Sequence, residues 1–180
     1  MHLGALTIVP VRENFHLVAG SVADALKKAT NAEDVGVAEI DPTLSDTAAF
    51  CAHYKIGLAQ AANCVILEAK RGDREWLAAC VVLGNTRADV NGLARKTLDA
   101  RRVSFAPMER AVSETGMEYG AITPIGLPSG WPILLDARVA ASDAVVIGSG
   151  IRESKLIVPG SFLASLQSVQ VLENLGQAAA

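Results

Sequence analysis

The apolar positions of this chain fall into short runs whose period changes from segment to segment. "SVADALKKA", residues 21–29, reads as a short capped helix, with Ser21 at its start, Asp24 in the first turn and Lys27 and Lys28 in the last. "VGVAEID", 35–41, alternates as a strand does and stops at Asp41-Pro42. A second helix is predicted through "DTAAFCAHY", capped by Ser45 or Asp46, with Gly57 beyond its end. The runs "NCVILEAK" and "WLAACVVLG" flank Arg71-Gly72-Asp73-Arg74, a tight-turn sequence, and predict an antiparallel hairpin.

Farther along, Val90, Leu93, Ala94 and Leu98 return to helical spacing behind an Asp89 cap. "RRVSFA" reads as a strand, and "MERAVSETG" as a helix that starts at Pro107 and stops at Gly116. "WPILLDARV" and "AVVIGSG" read as buried strands; Pro159-Gly160 introduce a last helix, "SFLASLQ", followed by a "VQVLE" strand and a frayed Ala-rich tail. Helices and short strands interleave irregularly, so the pattern predicts an α+β fold with a mixed, partly closed β-sheet or barrel and surrounding helices.

Composition narrows the classes. A chain of 180 residues suits one domain, with room for an appended element, and needs neither metals nor disulfides to fold. With 51% hydrophobic and 19% charged residues and a net charge of −3, it reads as soluble and globular, so any nucleic-acid contact should be local. Arg95, Lys96, Arg101 and Arg102 form a basic group that reads either as a solvated helix end or as such a local contact. Cys51, Cys64 and Cys80 show no CxxC spacing, which argues against zinc or a disulfide framework and for a reduced, cytoplasmic compartment. No signal peptide and no apolar run near about 20 residues is found, so no membrane span is expected. There is no G-x-S-x-G, P-loop or HExxH pattern, and His2, His16 and His53 all fall in the first third; no cofactor is expected.

The segment "YGAITPIGLP", 119–128, is different in kind. Gly120 and Gly126 permit backbone conformations and close approaches that a side chain blocks, while Pro124 and Pro128 stiffen the same stretch. Such a wall of backbone can aim N–H groups at a carbonyl oxygen and stabilise charge developing during attack on an ester. A structured connection in a β-rich domain is the other reading. Glycine-rich "IGSG", 147–150, lacks the third glycine of a dinucleotide fingerprint.

Thr115-Gly116, "GAITPIG", "PILLD" ending at Asp136, and "IGSG" followed by Arg152 stand in one order, with "EIDP", "DTAAFCAHYKIG" and "NCVILEAKRGD" upstream. In that order and spacing the chain resembles the YbaK/ProX-type aminoacyl-tRNA deacylases, which include the editing domain inserted in many bacterial prolyl-tRNA synthetases. The resemblance divides the chain into an N-terminal extension with a short helix, 1–34, and an editing domain, 35–175. It implies a free-standing, trans-acting enzyme that hydrolyses the ester of a small mischarged amino acid on tRNA, with the acceptor end of that tRNA, and a synthetase, as partners. One missing methylene changes binding by only about 1–3 kcal/mol, which is why a second sieve is needed.

By the same resemblance, Gly120 lies close to the acyl carbonyl within a Gly-x-x-x-Pro element ending at Pro124. Ile122 and Thr123 shape the pocket, Gly126 completes the wall, and Gly148, Ser149 and Gly150 form an opposing turn near the terminal adenosine. Asp136 caps or braces the loop, with a catalytic base as the other reading. A lysine usually begins the strand where Asn63-Cys64-Val65 stands here. Asn63 donates hydrogen bonds but carries no charge. Either another cation enters the pocket, with Lys155 and Arg152 as candidates, or the protein binds an aminoacylated end without fast hydrolysis. In an alternating strand Cys64 faces away from Asn63 as a small buried hydrophobe.

Overall fold

The computed structural model describes residues 3–44 and 46–178. Its elements run β1 (Val9–Pro10), α1 (Gly20–Lys28), β2 (Gly36–Glu39), α2 (Thr47–Tyr54), β3 (Ala62–Arg71), β4 (Arg74–Leu83), β5 (Thr86–Ala88), α3 (Arg95–Thr97) and β6 (Arg102–Phe105). Then follow α4 (Met108–Thr115), β7 (Ile133–Asp136), α5 (Ala137–Ala140), β8 (Val145–Gly148), β9 (Ser154–Val158), α6 (Gly160–Ala164), β10 (Val169–Leu172) and β11 (Gly176–Ala178). The fold is α+β.

One sheet has the order β1-β2-β9-β8, with every neighbour antiparallel. The other is mixed, in the order β10-β7-β4-β3-β6, where β10-β7 and β7-β4 are parallel. The partial closure expected from the sequence is not found. Among the described residues no sheet closes on itself; β10 and β6 remain edges, and an isolated parallel bridge from Ala61 to Val146 links the two large sheets.

Burial on both faces explains the unbroken apolar runs. In β4, Leu77, Ala79, Val81 and Leu83 enter the core between the sheets, while Ala78, Cys80 and Val82 enter a second core under the 90–98 segment and Leu175. A strand with two covered faces has no polar side to alternate. The β3–β4 hairpin turns at Gly72-Asp73, where Gly72 has φ +60°, a conformation that favours glycine. A third core lies on the outer face of the first sheet, where Phe50 and Cys51 of α2 cover Val146 and Ile157.

Residues 3–34 are built into these cores: β1 pairs with β2, and Val22 and Leu26 of α1 are fully buried between the sheets. Asp46 caps α2, accepting from the N–H groups of Ala48 and Ala49, whereas Ser45 lies outside the described residues. Ser21 does not cap α1; Ala19 occupies the cap position and its N–H donates to the Ser149 carbonyl. The stretch "WPILLDARV" is not one strand. It ends at Asp136, which caps α5 by accepting from the Arg138 N–H. The tail pairs as β11 with β5 through Ala178. Strand β9 has no counterpart among the expected elements.

Candidate functional site

The Gly120 loop and the Gly148 turn are joined edge to edge. Gly120, with φ +84°, sits in a tight turn closed by the Ala121 N–H donating to the Glu118 carbonyl at 3.0 Å. Ala121 in turn accepts from the Gly150 N–H at 2.8 Å, and the Glu118 N–H donates to the Gly150 carbonyl at 2.9 Å. The opposing-turn arrangement expected from the sequence is therefore replaced by a single wall built from both segments. Among the described residues the N–H groups of Gly120 and Ile122 find no acceptor, so both remain available as donors.

This wall borders a cleft of about 700 Å³ that also touches the start of α2, the first residues of β3 and the end of β6. Gly120, Ile122, Gly148, Asn63, Arg152 and Lys155 line it. Thr47 holds Asn63 in place: the Thr47 hydroxyl donates to Asn63 Oδ1 at 2.5 Å, leaving the Nδ2 protons as donors. Arg152 stands at the rim, exposed, with its N–H on the Glu118 carboxylate at 2.6 Å and its guanidinium on the Pro42 carbonyl at 3.3 Å.

Lys155 is buried, only 7% exposed. It lies on the face of β9 that α2 covers, and its Nζ is 5.5 Å from the centre of the Phe50 ring. Burial pushes its pKa below the ordinary lysine value, against the pull of Cys51 and Asp46. An ammonium in such surroundings interacts with an anionic oxygen far more strongly than one in bulk water.

Other expected site residues lie outside the lining of this cleft. Thr123 and Pro124 are buried behind the wall, and the Thr123 hydroxyl has no hydrogen-bond partner among the described residues. Gly126, with φ +82°, and Gly150, with φ +86°, pack against the start of α1, where added Cβ atoms would stand 2.5 Å from the Ser21 carbonyl oxygen and 2.4 Å from the Ala19 Cβ. Ser149 braces its own turn, its one hydroxyl proton shared between the carbonyls of Ile151 and Ser154 while its oxygen accepts from the Ser154 hydroxyl. Asp136 is spent on structure: its carboxylate accepts from Arg138 and from the Gly176 N–H.

Cys64 packs against the core between the sheets beside Val81, on the opposite face of β3 from Asn63, as an alternating strand requires. It also touches the cleft lining. Burial raises its thiol pKa strongly, with Cys80 adding to the rise, so the thiol form is favoured.

A model of the aminoacyl-tRNA editing domain matches residues 41–166. The chain belongs to that family. The matched span contains the wall, Asn63, Arg152 and Lys155. The editing domain also superposes on solved structures. A proposed trans-editing enzyme for prolyl-tRNA synthetase aligns with TM-score 0.74 and 18% identity, over 89% of this chain and 99% of the other. A hypothetical protein gives 0.75 and 18%, over 87% and 99%. At that identity the likeness is one of fold. No curated protein matches the sequence.

The editing domain brings residues to the cleft that the sequence did not single out. Phe105 and Tyr119, 63% and 58% exposed, line it beside Leu58. The available signal was their setting: an aromatic at the outer end of a strand and another next to Gly120 have no core position to fill. Thr47 carried no signal, because its partner Asn63 is named only by the fold. Among the described residues no helix is long and apolar enough to cross a membrane.

Proposed function

We propose that this editing domain acts in trans as an aminoacyl-tRNA deacylase, hydrolysing the ester between a small mischarged amino acid and the tRNA 3′ end. The observation that supports this reading is the pair of available N–H donors, on Gly120 and Ile122, in a wall that lines a cleft of about 700 Å³ together with Asn63. An acyl carbonyl oxygen placed on those donors gains negative charge as water attacks its carbon, and rigid backbone dipoles favour that state without reorganising. The ester C–O bond breaks, the acyl carbon keeps the hydroxyl from water, and the ribose oxygen takes the proton. Asn63 Nδ2 supplies a further neutral donor. Thr123 and Pro124 act from behind, holding the wall in shape.

The terminal adenosine lies toward the Phe105 and Tyr119 side, and Gly126, Ser149 and Gly150 serve by fixing the wall to α1. The synthetase that mischarges the tRNA is the natural supplier of substrate. The free cysteines Cys51, Cys64 and Cys80 suit a reducing, cytoplasmic setting.

The test is incubation with a panel of tRNAs mischarged with small amino acids, following ester loss. Cleavage of at least one member well above its uncatalysed rate is expected, reduced by Gly120→Ala, which strains a φ of +84°. No cleavage of any member would overturn the reading. Asn63, uncharged where the family resemblance places lysine, favours a second reading: a protein that binds the aminoacylated end without fast turnover. Tight binding of an amide-linked aminoacyl-adenosine with no cleavage across the panel selects it.

A further inference from the structure

We infer that Lys155 supplies this cleft with the positive charge that Asn63 lacks, reaching it from the neighbouring sheet, and that its ammonium binds an anionic oxygen of the substrate. The inference rests on the reading of the cleft as an ester site. That oxygen is either the phosphate of the terminal nucleotide or the oxyanion that develops on the acyl carbon.

The register of the sheet carries the argument. Lys155 on β9 is directly paired with Gly148 on β8, so the two share a face, with Cβ positions about 5 Å apart in such pairs. The backbone of Ala121 and Ile122 rests on that glycine: a Cβ there would stand 2.3 Å from the Ala121 oxygen and 2.7 Å from the Ile122 oxygen. Lys155 is thereby set beside the stretch of wall that carries the Ile122 donor. Asn63 lines the same cleft from β3. Phe50 of α2 covers Lys155. Arg152 is less suited to the role, since its guanidinium is exposed at the rim and donates to the Pro42 carbonyl.

The experiment uses the full chain as wild type, Lys155→Met, and the exchanged pair Asn63→Lys with Lys155→Asn. Three quantities are read: kcat and KM on a mischarged tRNA cleaved by the wild type, Kd for amide-linked 3′-(alanylamino)adenosine with and without a 5′-phosphate, and melting temperature. Lys155→Met keeps an unbranched side chain of similar length in the covered site, and the melting temperature shows that the variant compared is folded.

Loss of a preorganised cationic donor should lower kcat/KM by about 100-fold. If the anion is the phosphate, Kd weakens only for the phosphorylated analogue; if it is the oxyanion, kcat falls and both Kd values hold. In either case the exchanged pair should regain most of the loss, which a merely structural lysine would not allow. Wild-type kinetics and Kd in Lys155→Met overturn the inference, as does a loss that the exchanged pair fails to recover. Should the wild type cleave no tRNA, deacylation fails as a function. Phosphate-dependent analogue binding that requires Lys155 still supports the inference in that case; binding indifferent to Lys155, or none, overturns it.

Discussion

A Cβ on Gly148 would stand 2.3 Å from the carbonyl oxygen of Ala121. That same carbonyl accepts the Gly150 N–H, so the strand end and the loop are held together by contact and hydrogen bond at one point. Gly148→Ala must therefore move backbone, with no flexible side chain able to absorb the shift, and should destabilise the fold by about 1–3 kcal/mol. Deacylation should fall further than stability does, since the donors of the wall are displaced. The checks are urea denaturation and turnover at a temperature where the variant is folded; wild-type values for both would show that the contact is dispensable.

Phe105 and Tyr119 present large exposed apolar surface at the cleft, and a nucleobase is the part of an aminoacyl-tRNA end that stacks on such rings. Base–aromatic stacking is worth about 1–3 kcal/mol, so either residue changed to Ala should raise KM by roughly 5-fold or more. The melting temperature should hardly move, because neither ring fills a core. Unchanged KM in both single variants would remove the aromatic rim from the binding site.

Much of the hairpin and several helix ends were readable from residues alone. The Gly72-Asp73 turn, the Asp46 and Asp89 caps and the Gly116 stop are local chemistry, and the structure has each of them. Strand β9 was not readable. "SKLIV" is short, opens with polar residues and places a lysine where surface would be expected, and what covers that lysine is Phe50, distant in sequence. The same limit applied to Asp136, whose second partner is the N–H of Gly176 on a tail that reads as frayed. That Cys64 touches the cleft lining as well as the core is again a tertiary fact.

Cys64 lines the cleft, yet burial disfavours its thiolate. A thiol that stays protonated is a poor nucleophile, and its role is packing. Cys64→Ala should therefore keep kcat within about 3-fold of wild type, while losing a little stability through the smaller side chain. Alkylation of Cys64 by iodoacetamide in the folded protein should be slow near neutral pH. Rapid alkylation at Cys64 coupled to inactivation, together with a dead Cys64→Ala variant, would instead make this thiol the nucleophile.

Asp136 predicts the acid sensitivity of the fold. Burial alone would raise its pKa, but hydrogen bonds from the Arg138 side chain, the Gly176 N–H and the Arg138 N–H outweigh it and hold the carboxyl below its ordinary 3.8. A carboxyl whose folded pKa lies below its unfolded value contributes fully above the unfolded value, and the contribution disappears as pH falls through the folded one. Asp136→Asn keeps the shape but removes the charge that holds Arg138 and the tail. Because Arg138 is half exposed, solvent screens part of that pair, and the expected loss is about 1–2 kcal/mol near neutral pH. The gap between wild type and variant, read from urea denaturation across a pH series, should stay constant above about pH 5 and shrink as pH drops below about 4. A gap that persists undiminished into strong acid would mean that packing, rather than the carboxylate charge, anchors α5 and β11.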